Sequence, residues 1–547
     1  MAATVGDLIA AFLEEYGVTT AFGVISIHNM PILDAFARRN RIRFVPARGE
    51  AGALNMADAY ARVTGGLGVG VTSTGIGAGN AAGSLLEAQN AGTPVLHFTG
   101  NIESSDLDKG RANIHESPGQ PAMLKAVSKA YFRILTEQQA LGVLREAARV
   151  ALTPPRGPVT VEIPIDIQAS PARWNDDLAP TPIAPMAPAP QLLDLAAGRL
   201  IAAKRPMLWL GGGARGAADE ARKLADMGIG IVTSINGRGT VPEDHPMSLG
   251  SFNLQPAIET FYGTSDLMIA VGSRLRGNET LRFHLKLPAP LIQVDVDAAM
   301  HGRAYPAALF VQSDAALFLA GLAKRVAGKL AIDPAFASDL AAAKKAADRG
   351  LREALGPAYA ALADVVRRRL PKGAPWVRDI TLSNSTWGNR YGGLGDPRQG
   401  VHSLGGAIGQ GVPMAIGAAL GRPETKTVAL VGDGGFMLAA GEVATAVQER
   451  ANVVYILMND GGYGVIRNIQ DAHYGGRRAY ADLVTPDFAK LAASVGLAHR
   501  RAGSVAAFAE AFGAALAAPG PAIVEVDMKA LGPFAKPFAG PPVRAKT

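Results

Sequence analysis

Short apolar runs alternate with stretches of helical spacing along most of this chain. Residues 67–71 and 94–98 are apolar runs bounded by glycine, proline and small polar residues, the pattern of strands buried on both faces. Helical stretches such as 50–62 stand between them. Strands that alternate with helices predict a parallel sheet. The first α/β segment closes on Gly157-Pro158-Val159-Thr160-Val161-Glu162-Ile163-Pro164, a strand ending in proline. Prolines among small residues over 178–190 then predict an extended connector.

A second α/β pattern begins with a helix and the strand 207–210, followed by Gly211-Gly212-Gly213-Ala214-Arg215-Gly216. This fits G-x-G-x-x-G between a strand and a helix, a dinucleotide signal. The acidic residue that signal needs after the next strand is absent, because 229–232 runs into Thr233-Ser234-Ile235-Asn236. A tight glycine turn in a nucleotide-fold-like spacer is the better reading. A charged, alanine-rich helical stretch over 334–370 leads to a third α/β pattern. The chain thus divides into 1–170, a linker 171–190, a central domain 191–330, a connecting helical segment 331–357, a third domain 358–530 and a tail 531–547. The fold class is α/β, with three doubly wound parallel-sheet domains.

Composition narrows the field. Charged residues are 18% and glycines number 64, which favours a compact enzyme over a disordered chain. The net charge of +7 is not drawn into a basic stripe, so no nucleic-acid partner is expected. Cysteine is absent, which excludes disulfides, thiol nucleophiles and cysteine-based metal sites. No signal-peptide pattern opens the chain and the longest apolar stretch, 405–420, is short and glycine-rich, so a cytoplasmic protein without a membrane partner is expected.

The chemistry concentrates in the third domain. The apolar run 428–431 is followed by Gly432-Asp433-Gly434-Gly435, and the run 453–458 by Asn459-Asp460-Gly461-Gly462-Tyr463-Gly464. Two parallel strands joined by a crossover helix have neighbouring C-terminal ends, so Asp433 and Asp460 converge at one sheet edge. Two carboxylates suit a hard cation such as Mg²⁺, which keeps phosphate oxygens and water in its shell. The glycines let backbone N–H groups approach a diphosphate, and the helix N-terminus favours the anion.

This stretch resembles the cofactor motif of the thiamine-diphosphate enzymes, the family of acetolactate synthases, pyruvate oxidases, benzoylformate decarboxylases and benzaldehyde lyases. The usual motif ends in two asparagines; here the second is Asp460, which keeps an oxygen ligand and adds charge. The resemblance implies Asp433, Asp460 and the Gly462 carbonyl as Mg²⁺ ligands, with Gly432, Gly434, Gly435 and Tyr463 lining the diphosphate. In the first domain, Arg48-Gly49-Glu50 ahead of Met56-Ala57-Asp58-Ala59-Tyr60-Ala61-Arg62 is similar to the family's glutamate and its Ala-Asp-x-Tyr-Ala-Arg helix. By that match Glu50 hydrogen-bonds N1′ of the aminopyrimidine and favours its imino form, which removes the thiazolium C2 proton. Gly75-Ile76-Gly77-Ala78-Gly79-Asn80 resembles a Gly-Pro-Gly-x-x-Asn turn, with Ile76 replacing proline. Leu404-Gly405-Gly406-Ala407-Ile408-Gly409 resembles the loop in which Gly406 offers a carbonyl to the 4′-amino group and Ile408 wedges the cofactor into its bent shape.

In family terms the segments are a pyrimidine-binding, a central and a diphosphate-binding domain. The cofactor lies between the first and third, usually from different subunits, so a homodimer is the minimum and a homotetramer is expected. Departures from the family pattern bear on the substrate. Ile25-Ser26 stands where Pro-Gly is common, His28 matches a histidine of benzaldehyde lyase, and Ile114-His115-Glu116 replaces the Phe-Gln-Glu of acetolactate synthases. Both histidines are candidate catalytic proton relays. The Arg-Phe-Asp-Asp-Arg run of FAD-containing relatives is absent, with Gly272-Ser273-Arg274-Leu275-Arg276 near that place, so FAD is not expected. The tail Gly532-Pro533-Phe534-Ala535-Lys536-Pro537-Phe538 is a candidate lid. The leading expectation is an acetolactate-synthase-like carboligase acting on 2-oxo acids. The alternative is a 2-oxo acid decarboxylase or 2-hydroxyketone lyase, and a catalytically dead regulatory homologue is a third.

Overall fold

The computed structural model describes residues 3–174 and 177–540. Three sheets are present, every pairing in them parallel. The first runs, edge to edge, Arg43–Pro46, Thr20–Gly23, Gly68–Thr72, Val95–Asn101, Val159–Pro164, Ala130–Arg133. The third runs Gly400–His402, Trp376–Arg378, Thr427–Gly432, Val453–Asn459, Ala522–Asp527, Ala498–Ala502. Counted in chain order, both have the strand order 2-1-3-4-6-5, so the outer domains are topological copies. The central sheet has five strands, ordered Leu309–Gln312, Leu291–Asp295, Leu267–Val271, Pro206–Leu210, Gly230–Thr233. Each apolar run predicted as a strand is one, shifted by up to three residues at its ends.

Continuous apolar strands arise because both faces of each sheet are covered. In the third sheet Val428, Leu430, Val454 and Ile456 point into the core shared with the central domain and connecting helices. Their neighbours Ala429, Val431, Tyr455 and Leu457 point into a core shared with the first domain. A separate core covers the far face of the first sheet through Val69, Val71, Leu96 and Phe98. Each sheet is built from one continuous stretch of the chain, while two of the three cores join residues of different sheets.

The junction of the outer domains is a helix pair. Helix Glu50–Thr64 packs along helix Gly411–Gly421. A Cβ on Gly417 would fall inside the Met56 carbonyl, so glycine is what lets the two backbones approach. The central domain is tied to the third by Arg238, which is fully buried. It pairs with Glu243 at 2.5 Å and donates to the carbonyls of Gly388 and Tyr391, both at 3.2 Å. The 3₁₀ turn Gly212–Ala217 follows Pro206–Leu210, as the glycine run implied. The connecting segment forms helices Phe336–Leu355 and Pro357–Arg369. Phe534 of the tail stacks on Tyr359 at 3.9 Å between ring centroids, and the Ala539 carbonyl lies 3.0 Å from His473 Nε2. The candidate lid therefore lies along the connecting helices and the end of helix Gly464–His473; residues 541–547 lie outside the described residues. Among the described residues no helix is long and apolar enough to cross a membrane.

Gly417→Val should destabilise the protein by about 1–3 kcal/mol through overpacking. Gly350→Ala, exposed on helix Phe336–Leu355 with open space around its new Cβ, should stabilise it by up to about 1 kcal/mol. Urea midpoints of the two variants should therefore move in opposite directions.

Candidate active site

Strand register brings the two aspartates together. Gly432 and Met458 are paired across neighbouring parallel strands, so Asp433 and Asp460 follow at one sheet edge. Asp433 is buried, and its carboxyl is within hydrogen-bonding range of Asp460. Burial holds the Asp433 carboxyl above the usual carboxylate range, opposed by N–H donors that include Gly462 at 2.8 Å. Asp460 is raised by burial and by the charge of Asp433, and lowered by Arg467, whose guanidinium lies 2.9 Å from Oδ1. Arg467 also pairs with Asp482 at 2.9 Å. Two acidic side chains held above their ordinary range by burial, Asp460 also by the charge of Asp433, are what a divalent cation between them would relieve.

Glycines shape the space around this pair. Gly462 has φ +151°, and a Cβ there would collide with the Ala481 carbonyl. A Cβ on Gly434 would meet the Tyr463 ring at 2.8 Å and the Gly462 carbonyl at 3.4 Å. One on Gly435 would meet Asp379 Oδ2 at 2.9 Å. The donor set and the bare backbone suit a cation and a diphosphate. The expected residues Gly432, Asp433, Gly434, Gly435, Asp460, Gly462 and Tyr463 are thus all assembled here.

The loop carrying Gly406 and Ile408 joins the same group. Asp379 follows strand Trp376–Arg378 and accepts from Gly409 N at 2.9 Å and Gly411 N at 3.3 Å. Burial pushes its carboxyl up to about 6. Gly406 has φ +87° and is exposed, and Ile408 is half-buried. On its other side the loop meets the first domain: Glu87 accepts from Leu404 N at 2.7 Å and from Gly405 N at 2.6 Å.

A second constellation surrounds Glu50. Glu50 is the first residue of its helix and accepts from Asn80 Nδ2 at 3.1 Å. A Cβ on Gly77 would meet Glu50 Oε1 at 2.7 Å, and one on Gly75, at φ +60°, would meet the His115 carbonyl at 3.1 Å. The turn Gly75-Ile76-Gly77-Ala78-Gly79-Asn80 therefore sits between Glu50 and His115. The His115 ring packs edge-on to His28 at 4.9 Å between centroids. His28 is buried with Nδ1 unpartnered, and burial and His115 lower its pKa against the pull of Glu103. The residues ahead of Glu50 are gripped by Glu442 of the third domain, which accepts from Arg48 N at 3.1 Å and Gly49 N at 3.0 Å.

Asp379, Glu87, Glu442 and Arg467 are not evident in the sequence. Only Asp379 carries a local signal, an aspartate just after an apolar strand. The other three act across about 7 to more than 300 residues of chain. A separate cleft of about 470 Å³ lies at the C-terminal ends of the central strands, lined by Gly212, Arg215, Arg274 and Arg276 among others.

Comparison with known proteins agrees with this geometry. Three family descriptions match in chain order: thiamine pyrophosphate enzyme, N-terminal TPP binding domain over 3–123; central domain over 193–322; and C-terminal TPP binding domain over 382–526. The chain is 34% identical over 471 residues to a probable 2-ketoarginine decarboxylase of Pseudomonas aeruginosa, covering 85% of this chain and 83% of that protein. It is 29% identical over 497 residues to the chloroplastic acetolactate synthase 2 of Nicotiana tabacum, covering 88% and 74%. It is 27% identical over 545 residues to the chloroplastic acetolactate synthase of Arabidopsis thaliana, covering 95% and 80%.

Both aspartates of the pair are raised, so without metal the folded state holds more protons than the unfolded state between the ordinary aspartate range and the raised values. Their contribution to stability then falls as pH rises through that window. A divalent cation favours the charged forms and reverses the loss. Mg²⁺ should raise the thermal midpoint more at about pH 7 than at about pH 5, and Asp433→Ala should abolish the difference in scanning fluorimetry.

Proposed function

The chain belongs to the thiamine-diphosphate-dependent enzymes, and we propose that it decarboxylates a 2-oxo acid, using Mg²⁺ to hold the cofactor and Glu50 to activate it. The reading is carried by the joint presence of the carboxylate pair Asp433 and Asp460 at one sheet edge and Glu50 at the start of its helix beside the Gly75–Asn80 turn. Bound thiamine diphosphate would supply the nucleophilic carbon and the sink for the electron pair released with CO₂. Asp433, Asp460 and the Gly462 carbonyl would hold the metal, and Gly432, Gly434, Gly435 and Tyr463 would line the diphosphate. Gly406 and Ile408 would seat the aminopyrimidine, with Glu50 holding a proton at N1′.

Two fates are open to the decarboxylated fragment. Addition to a second carbonyl is the acetolactate-synthase-like carboligase reaction, favoured by the acetolactate synthases among the relatives. Protonation and release is the decarboxylase reaction, favoured by the 2-ketoarginine decarboxylase relative and by His28. Its unpartnered Nδ1 and lowered pKa beside His115 leave a neutral imidazole that can accept a proton. A 2-hydroxyketone lyase would use the same groups in reverse.

The proposed holoenzyme is a cytoplasmic homodimer or homotetramer that takes a small 2-oxo acid or hydroxyketone, with neither nucleic acid nor membrane as partner. Ile27, Ile76 and Ile114 are exposed around the Glu50 constellation, and Leu438 and Ile466 around the metal pair. A second copy that brings one face against the other would cover both. FAD is left out of this holoenzyme because the Arg-Phe-Asp-Asp-Arg run of FAD-containing relatives is absent from the chain.

With thiamine diphosphate and Mg²⁺ present, the protein should consume pyruvate or 2-ketoarginine with release of CO₂, followed by NMR. Acetolactate among the products assigns the carboligase fate; an aldehyde assigns the decarboxylase fate. Glu50→Gln should lower kcat by about 100-fold or more, and full activity in that variant would sink the mechanism. His28→Ala should lower kcat by about tenfold and flatten the limb of its pH profile that lies below the ordinary histidine range.

A further inference from the structure

The two loops expected to face the cofactor are gripped in the same way from opposite domains. In the first domain the chain leaves strand Arg43–Pro46, passes Arg48 and Gly49, and enters helix Glu50–Thr64. In the third it leaves strand Gly400–His402, passes Leu404 to Gln410, and enters helix Gly411–Gly421. Both strands are the second of their sheet in chain order and sit at its edge. Each loop presents two consecutive backbone N–H groups to a carboxylate of the other domain. Glu442 receives those of Arg48 and Gly49 at 3.1 and 3.0 Å; Glu87 receives those of Leu404 and Gly405 at 2.7 and 2.6 Å.

The two glutamates are equivalent as well. Glu87 lies in helix Ala82–Ala91, after the third strand of the first sheet and its glycine turn. Glu442 opens helix Glu442–Gln448, after the third strand of the third sheet and its Gly-Asp-Gly-Gly turn. Both carboxylates lie close against bare backbone: a Cβ on Gly52, in the first turn of helix Glu50–Thr64, would collide with Glu442 Oε1, and one on Gly405 would meet Glu87 Oε2 at 2.8 Å. Both carboxylates are buried. Glu87 is further fixed by Arg62 at 3.0 Å, which in turn pairs with Asp58. Glu442 is fixed by Thr445 at 2.7 Å. The Leu404 carbonyl is held from the central domain by Arg276.

We propose that Glu87 and Glu442 are reciprocal positioning residues, each holding the cofactor-facing loop of the opposite domain of the same chain. Glu442 sets the place of Glu50, and Glu87 sets the place of Gly406 and Ile408. A buried carboxylate that receives two adjacent N–H groups fixes both position and orientation of the peptide planes. Glutamine in place of Glu87, whose two oxygens take one N–H each, satisfies only one of them. In place of Glu442, whose Oε1 takes both, it removes the charge and turns an N–H toward the Arg48 N–H and Thr445 hydroxyl that Oε2 now serves. The inference rests on the reading that Glu50 and the 404–410 loop face thiamine diphosphate.

The test uses the full-length protein, with cofactor affinity measured by calorimetry in Mg²⁺, kcat and KM at saturating cofactor, and the thermal midpoint of the cofactor-free form. Glu87→Gln should weaken cofactor affinity about tenfold or more. Glu442→Gln should leave affinity within about threefold and lower kcat about tenfold with little change in KM. Phe318→Ala, buried in helix Ala315–Val326 of the central domain and away from both loops, should lower the midpoint without either signature. Glutamate variants that lower the midpoint but keep parental affinity and kcat overturn the proposal. If Glu87→Gln does not fold, Arg276→Ala reports on the same loop: weakened affinity supports the proposal and parental affinity overturns it. Ile408→Ala separates the two layers of the argument. Parental affinity there overturns the loop assignment and the proposal with it. Weakened affinity there, with parental behaviour in both glutamate variants, overturns the positioning role alone.

Discussion

The close approach of helix Glu50–Thr64 to helix Gly411–Gly421 is the constraint on which the site depends. Each helix begins where a functional loop ends, so the distance between their axes sets the distance between Glu50 and the loop of Gly406 and Ile408 within one chain. Gly417 against the Met56 carbonyl makes that distance short. Burial of nearly the whole second helix, from Gly411 to Ala419, makes it costly to change. An interface this tight tolerates few side chains, which explains why small residues dominate that helix.

Around this pair the outer domains behave as two halves of one device. They share the 2-1-3-4-6-5 strand order and a common core, and they exchange carboxylates onto each other's loops. The central domain contributes from the side, through Arg238 to the third domain and Arg276 to the Leu404 carbonyl. The pair of Asp433 and Asp460 stands slightly apart, at the edge where Thr427–Gly432 and Val453–Asn459 end. There the unusual second aspartate, Asp460, is balanced by Arg467, which lies seven residues further on and also holds Asp482. An extra negative charge next to Asp433 would otherwise go uncompensated in a half-buried site.

Much of this was legible beforehand. The alternation of apolar runs and helical stretches is enough for parallel α/β domains, because a strand buried on both faces has no polar side to display. The crossover rule is enough to bring Asp433 and Asp460 together, because neighbouring parallel strands joined by a helix end at the same edge. Glu50 was found through the residues that follow it, and the structure puts it at the helix start with Asn80 on its carboxylate. Glu87 and Glu442 were invisible: each lies on an ordinary helical stretch, and its partners are more than 300 residues away.

What the sequence by itself determined is therefore whatever depends on local spacing: strands, helices, glycine turns, and the pairing of two strand ends joined by one helix. Those follow from backbone geometry and from the need to bury apolar side chains. Tertiary structure alone decided which carboxylates grip which loops, which cores span two domains, and that His28 and His115 meet beside the Gly75–Asn80 turn. Such contacts join residues with no common period. They exist only after the helix pair has closed and buried polar groups have had to find partners across the domain boundary.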